Sequence, residues 1–178
     1  HDTSSAPRRG VKSREHAPGL AVDLVSGGRW RLDEQQPKTF TMVVFYRGLH
    51  CPVCRAQLSE LNRRLDELTS RGIDVIAISG DTQERAQKTA VEWHLDRLSI
   101  GYGLSEQTAR AFGLFVSGAI KDDEPAQFSE PGLFLIHPDG TVYYETINSM
   151  PLSRPHLDDV ISAVDYAAKV DYPARGEA

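Results

Sequence analysis

Cys51 and Cys54 are the only cysteines in a chain of 178 residues, and they stand in the run Cys51-Pro52-Val53-Cys54. Two thiols three positions apart on one turn can close a disulfide and reopen it by exchange, so the spacing points to thiol–disulfide redox. The thiolate is the reactive form, and positive surroundings can lower a cysteine pKa from ~8.5 to ~3.5–7.5. Arg47, His50 and Arg55 bring such charge within a few residues. Of these, Arg47 has the better claim because it precedes the turn. Arg55 reads as a solvated helix residue, and His50 as either a local cation and proton relay or a loop residue. Two alternatives compete for the cysteines. One is a pair of inert buried thiols. The other is half of a zinc site, which needs four ligands, and neither a second C-x-x-C nor an H-x-x-x-H exists to complete it. No metal and no cofactor are expected.

The elements that must position these residues are legible around them. Met42 to Tyr46 is continuously apolar, with β-branched and aromatic types, and reads as a buried strand that breaks at Gly48. Leu58, Leu61, Leu65 and Leu68 then recur at helical spacing, predicting an amphipathic helix from the cysteines to about Ser70. The dithiol therefore lies where a strand hands over to a helix. Pro52 is tolerated there because the first helical turn needs no N–H from it. The unpaired N–H groups and dipole of that helix start favour a thiolate. This placement makes Cys51 the more exposed nucleophile and Cys54 its resolving partner.

Before this core lie a polar, basic stretch over 1–17, read as a flexible arm, and a short hairpin over Ala21–Val25 and Trp30–Leu32 with a Gly27-Gly28 turn. After it come a buried strand at 73–79, a helix from Gln83 to about His94 capped by Asp81 or Thr82, a short strand at 98–102 and a short helix at 106–112. Residues 113–130, with the acidic Asp122-Asp123-Glu124, read mostly as loop. A third buried strand at 132–137 turns at Pro138-Asp139-Gly140 into a returning arm at 142–145, and a last helix starts near Pro155. Trp93 and Phe112 read as core, His137 as structural, and 173–178 as a polar tail. Strand–helix alternation predicts one α/β domain over 18–172 with a central mixed sheet flanked by helices. The net charge of -5 argues against a nucleic-acid or anionic membrane partner. The chain has no apolar run of spanning length and no apolar leader, and two lone cysteines do not make a secreted framework. The expected location is the cytoplasm, with an extracytoplasmic one left open should a leader have preceded His1.

Taken together, the strand ending in Val-Val-Phe-Tyr, the C-x-x-C that opens a helix, Ile73-Asp-Val-Ile-Ala-Ile-Ser79 and Gly132-Leu-Phe-Leu-Ile-His-Pro-Asp-Gly140 resemble the thioredoxin fold. More narrowly they resemble AhpC/TSA peroxiredoxin-like proteins, over roughly residues 18–168. Peroxiredoxins carry P-x-x-x-[T/S]-x-x-C. On that pattern Arg47 takes the proline position, Cys51 the Thr/Ser position and Cys54 the peroxidatic position. The family's arginine before the Gly-Leu-Phe strand is replaced by Glu130 or Pro131. The resemblance to thioredoxins implies a cis-proline facing the dithiol, which Pro131 would supply, leaving a backbone edge free to dock an extended substrate. Phe45 stands where thioredoxins bury an acid.

These departures favour a thiol–disulfide oxidoreductase that cycles a Cys51–Cys54 disulfide, with Arg47, His50, Pro52 and Pro131 in support. The alternative is a thiol-dependent peroxidase that reduces hydroperoxides through Cys54 or Cys51, and a third reading is a non-catalytic redox-sensing module. The implied partners are a protein disulfide or a hydroperoxide, together with an external reductant of thioredoxin or glutathione type. The protein itself is expected to be a monomer or homodimer.

Overall fold

The computed structural model describes residues 10–178. A hairpin comes first, β1 (Ala21–Leu24) and β2 (Arg29–Arg31), followed by a 3-10 turn at Leu32–Glu34. The apolar run then forms β3 (Phe40–Phe45), with all six residues buried. Helix α1 (Pro52–Arg63) and the short α2 (Leu65–Thr69) lead into β4 (Ile73–Ile78). Next are α3 (Gln83–Glu92), β5 (Ser99–Tyr102), α4 (Glu106–Ala111) and a small hairpin of β6 (Val116–Gly118) and β7 (Gln127–Ser129). The chain continues through β8 (Gly132–Ile136), β9 (Val142–Ile147) and α5 (Leu157–Val170).

Seven strands form one mixed sheet in the order β2-β1-β5-β4-β3-β8-β9. Strand β3 lies between β4, to which it is parallel, and the antiparallel β8. That central position, covered on both faces, is why its sequence is unbroken apolar rather than alternating. Successive side chains still go to opposite faces. Met42, Val44 and Tyr46 join Leu58 and Leu61 of α1 and Val160 and Val164 of α5. Val43 and Phe45 join Phe112, Phe134 and Leu104 on the other side. Trp93 and Phe112 are core residues, and His137 packs against the rings of Phe40 and Tyr143, which also touch each other. This is the mixed α/β architecture expected from the alternation of strands and helices, and the thioredoxin-like one that the resemblance implied.

Three local expectations are corrected and a fourth is refined. The helix does not run unbroken to Ser70: Arg64 leaves helical geometry (φ -103°, ψ 18°) and separates α1 from α2, although Leu68 stays fully buried across the break. Residues 113–130 are mostly loop as expected, but they also hold one short hairpin that was not, with β6 and β7 paired from Val116↔Ser129 to Gly118↔Gln127. Three-residue strands are too short to show a period, and it is buried Phe128 that anchors them. Residues 10–17 do not form a free arm. They lie along the outer edge of β9, with Arg14 N–H to the Val142 carbonyl at 2.7 Å and Val142 N–H to the Glu15 carbonyl at 2.9 Å. The start of that sheet edge is thereby covered. The remainder of the expected arm, 1–9, lies outside the described residues. Lastly, the tail is pinned at Ala174, which is buried and whose carbonyl accepts both Nε and Nη2 of Arg14. Among the described residues no helix is long and apolar enough to cross a membrane.

Candidate active site

The turn that carries the dithiol is built by Gly48 and Asp81. Gly48 has φ +139°, and a Cβ there would stand 2.8 Å from Asp81 Oδ1, so the chain passes the carboxylate as only glycine allows. Asp81, fully buried, accepts Leu49 N–H at 2.9 Å and Arg85 Nε at 3.1 Å. Capping of α3 falls to Thr82, whose hydroxyl accepts Arg85 N–H. The loop after β3 is thus tied to the loop after β4, its parallel neighbour. Cys51 sits at the N-cap of α1 in an extended conformation, and exposed Pro52 opens the helix.

Both cysteines are free thiols. Contrary to expectation, neither is exposed: Cys51 is 1% and Cys54 0% accessible. As an N-cap, Cys51 turns its Sγ inward to accept Cys54 N–H at 3.2 Å, replacing the oxygen that usually caps a helix. Cys54 Sγ receives Arg47 N–H at 3.4 Å and Arg154 Nη2 at 3.1 Å, and the same Nη2 lies 3.6 Å from Cys51 Sγ. These contacts separate two otherwise identical thiols. The Cys51 pKa falls to about 6, chiefly because Cys54 S–H donates to it, with the Cys54 backbone N–H, Arg154 and Arg47 adding to the effect against the cost of burial. Cys54 moves the opposite way, since burial and the proton it shares with Cys51 hold it as the thiol. The pair gives up its first proton readily and its second with difficulty.

The remaining residues singled out from sequence fall into a second cluster beside the dithiol. Arg47 is locked to buried Glu130 through Nε, at 2.7 and 3.1 Å, and lies 3.7 Å from Glu124. Its guanidinium also covers the ring of Phe128 at 4.8 Å. Glu124 is not part of a solvated acidic loop as its neighbours are: its side chain is 5% exposed and accepts the N–H groups of Ile120 and Lys121. The His50 side chain is 2% exposed, edge-on to Phe128, with neither ring nitrogen hydrogen-bonded. Burial, and next the Arg47 charge, push its pKa down, which speaks against the local-cation reading, and its burial rules out the alternative of an exposed loop residue. Arg55 is exposed, as its helix position implied. Pro131 abuts the site, but no peptide bond among the described residues is cis. Its carbonyl already accepts Asn148 N–H at 3.1 Å, so it offers no free edge. The antiparallel run of β9 beyond Gly132 takes the group that an extended substrate would need.

Arg154, from the segment between β9 and α5, was not singled out from sequence. Its Nε donates to the Pro151 carbonyl at 2.8 Å and its Nη1 to Gln57 Oε1 at 2.5 Å. A Pro-flanked arginine about a hundred residues downstream carries no local sign that it returns to the dithiol. The only available hint was the missing cation at 130–131. Among the described residues, no cluster of three or more metal-ligating side chains forms.

A dithiol at the strand-to-helix junction of this fold defines a thioredoxin-fold oxidoreductase. Residues 14–145 match the sequence profile of the AhpC/TSA family, and the chain belongs to that family. The chain is 29% identical over 138 residues to alkyl hydroperoxide reductase C of Staphylococcus aureus, spanning 74% of this chain and 68% of that protein. It is 30% identical over 121 residues to alkyl hydroperoxide reductase C of Staphylococcus haemolyticus, spanning 65% and 59%. Among solved structures, the reduced 2-Cys peroxiredoxin of Plasmodium vivax superposes with a TM-score of 0.74 at 17% identity, covering 93% of this chain and 88% of that one. Peroxidoxin BcpB of Mycobacterium tuberculosis superposes with a TM-score of 0.72, also at 17% identity, covering 88% and 97%. At such identities these structures establish the fold.

Proposed function

We propose that the protein is a thiol-dependent peroxidase in which Cys51 is the attacking thiolate and Cys54 the resolving thiol. The observation that carries this reading is the burial of both sulfurs beside groups that stabilise one negative charge. A two-oxygen substrate needs little room to reach such a sulfur, whereas a folded protein disulfide must bring its own backbone to it. The occupied Pro131 carbonyl weakens the protein-disulfide reading further, and the named relatives support reduction of hydroperoxides. Simple disulfide exchange with protein substrates, the first expectation from the C-x-x-C, becomes the recycling half of the cycle.

The steps balance as follows. Cys51 thiolate attacks one oxygen of the hydroperoxide, an S–O bond forms and the O–O bond breaks, and the departing alkoxide is protonated to the alcohol. Sulfur loses two electrons and becomes the sulfenic acid. Cys54 sulfur then attacks the sulfenic sulfur, the S–S bond forms, and the oxygen leaves as water with the Cys54 proton. An external thiol reductant, one dithiol of thioredoxin type or two monothiols of glutathione type, supplies two electrons and two protons to restore both thiols and is itself oxidised to a disulfide.

The test is stopped-flow oxidation of the reduced protein by hydrogen peroxide and by a model protein disulfide, with a free thiol as reference. The expected result is a peroxide reaction orders of magnitude faster than the free thiol, with the disulfide slower. Peroxide reacting no faster than a free thiol would sink the reading. Trapping with a sulfenic-acid reagent assigns the roles: Cys54→Ser should accumulate label on Cys51, while Cys51→Ser should react slowly. Fast labelling of Cys54 in Cys51→Ser would reverse the assignment.

A further inference from the structure

We infer that the main-chain N–H of Arg47 is a catalytic donor in the resolving step, facing the negative charge that appears on Cys54 as it closes the disulfide; this rests on the roles given to the two cysteines above. Two departures from the peroxiredoxin pattern carry the inference, because the structure joins them. That pattern has proline at position 47, which has no N–H, and an arginine just before the Gly132-Leu-Phe strand. Here Arg47 stands at the first place and Glu130 with Pro131 at the second. The two departures meet: Arg47 Nε donates to Glu130 at 2.7 and 3.1 Å. A cation has been installed where the proline stood, together with a carboxylate to bind it. What the exchange adds at the dithiol is a donor, since Arg47 N–H reaches Cys54 Sγ at 3.4 Å.

The guanidinium acts as the anchor of that donor. Glu130 holds its Nε, Glu124 lies 3.7 Å away, and the Phe128 ring covers it at 4.8 Å. These anchors come from β7 and its flanks, so the loop after β3 is pinned at its first residue. Two residues on it is pinned again, where Asp81 accepts Leu49 N–H. A main-chain donor fixed from both sides keeps its aim and needs no reorganisation when charge develops. The second step of the cycle calls for such a donor. In the reduced protein Cys54 keeps its proton and shares it with the Cys51 thiolate. Once Cys51 is a sulfenic acid, that anion is gone. The Cys54 proton then passes to the departing oxygen, the S–S bond forms as the S–O bond breaks, and water leaves. Negative charge rises on a sulfur with no accessible surface, where water cannot solvate it. Arg47 N–H already faces that sulfur and, being main chain, stays in place when a side-chain donor such as Arg154 turns.

The experiment compares wild type with two double variants, Arg47→Met/Glu130→Met and Arg47→Pro/Glu130→Met. Each removes both ends of the ion pair, so neither strands a buried charge. They differ in the N–H of residue 47, and near-ultraviolet circular dichroism verifies packing. Closure is read with two reagents. Single-turnover hydrogen peroxide gives a peroxide-dependent phase and then a peroxide-independent one, in which intact mass follows the Cys51 sulfenic acid into the disulfide. Dithiodipyridine loads Cys51 as a mixed disulfide, which releases pyridinethione when Cys54 attacks. The expected result is closure about tenfold slower in the proline variant than in the methionine variant with both reagents, and an unchanged peroxide-dependent phase. Equal closure in the two double variants overturns the inference. A third measurement needs no proline: in Cys51→Ser, where Cys54 is the one thiol, the Arg47 amide proton resonance should move downfield as Cys54 ionises, and an amide that does not follow Cys54 overturns the inference as well. If wild type shows no fast peroxide-dependent phase, the peroxidase reading falls, while the dithiodipyridine rates still decide the role of the N–H.

Discussion

Removing the Cys54 sulfur should raise the pKa of Cys51, because the Cys54 S–H is the largest contribution holding it near 6. With a pKa of about 6, Cys51 is roughly nine-tenths thiolate at pH 7, against about 3% for an ordinary thiol near 8.5. The difference is on the order of thirtyfold in reactive species at pH 7, and the whole shift from about 8.5 to about 6 corresponds to ~3 kcal/mol. Cys54→Ala deletes the side-chain donor while keeping the backbone N–H of residue 54, Arg154 and the helix start. The Cys51 pKa should then climb by about one unit or more without reaching the free value, and the rate of alkylation at pH 7 should fall about twofold or more. Cys54→Ser, which retains an O–H donor, should keep most of the depression. The assay is the pH dependence of iodoacetamide alkylation read by intact mass. In both variants a single sulfur titrates, so the curve belongs to one residue rather than to a coupled pair. An unchanged pKa of about 6 in Cys54→Ala would refute the assigned cause, and a wild-type pKa near 8.5 would refute the activated thiolate altogether.

Three further predictions concern the frame. Glu130→Ala leaves the Arg47 guanidinium, itself mostly buried, without its nearest carboxylate, and should cost ~3 kcal/mol or more in urea unfolding, with Glu130→Gln losing less. Gly48→Ala puts a Cβ against Asp81 at a φ of +139°, and should both lower the melting temperature and slow Cys51 alkylation by displacing the turn. Asn62→Ala orphans the N–H groups of Arg97 and Leu98, which donate to its Oδ1 at 2.9 and 2.8 Å, and should cost ~2–4 kcal/mol with little change in the Cys51 pKa.

Much of the fold is legible in local pattern. The unbroken apolar run 42–46 marks the central strand because no other place in a sheet hides both faces, and the leucines of α1 declare its inner side. The C-x-x-C is equally local. Other features are decided by distant residues. Cys51 looks exposed from its position at a helix start, yet the Arg154 segment lies over it. Pro131 is in the right place in sequence, but its carbonyl is taken by a residue beyond the next hairpin. Glu124 sits in what reads as an acidic solvent loop, and only the pairing of β6 with β7 brings it to Arg47. In each case the deciding partner lies more than ten residues away, where periodicity and capping carry no information.

The burial of both sulfurs has a consequence for turnover. If the proposed cycle holds, a reductant protein would reach a Cys51–Cys54 disulfide only after its cover, the first turn of α1 or the Arg154 segment, opens locally. If about one molecule in a hundred is open, the reductant's apparent affinity falls by the same factor of about a hundred. On the peroxidase reading, a hydroperoxide needs a far smaller opening and reacts with the donors assembled. Conditions that stiffen the fold should then slow recycling more than the first chemical step.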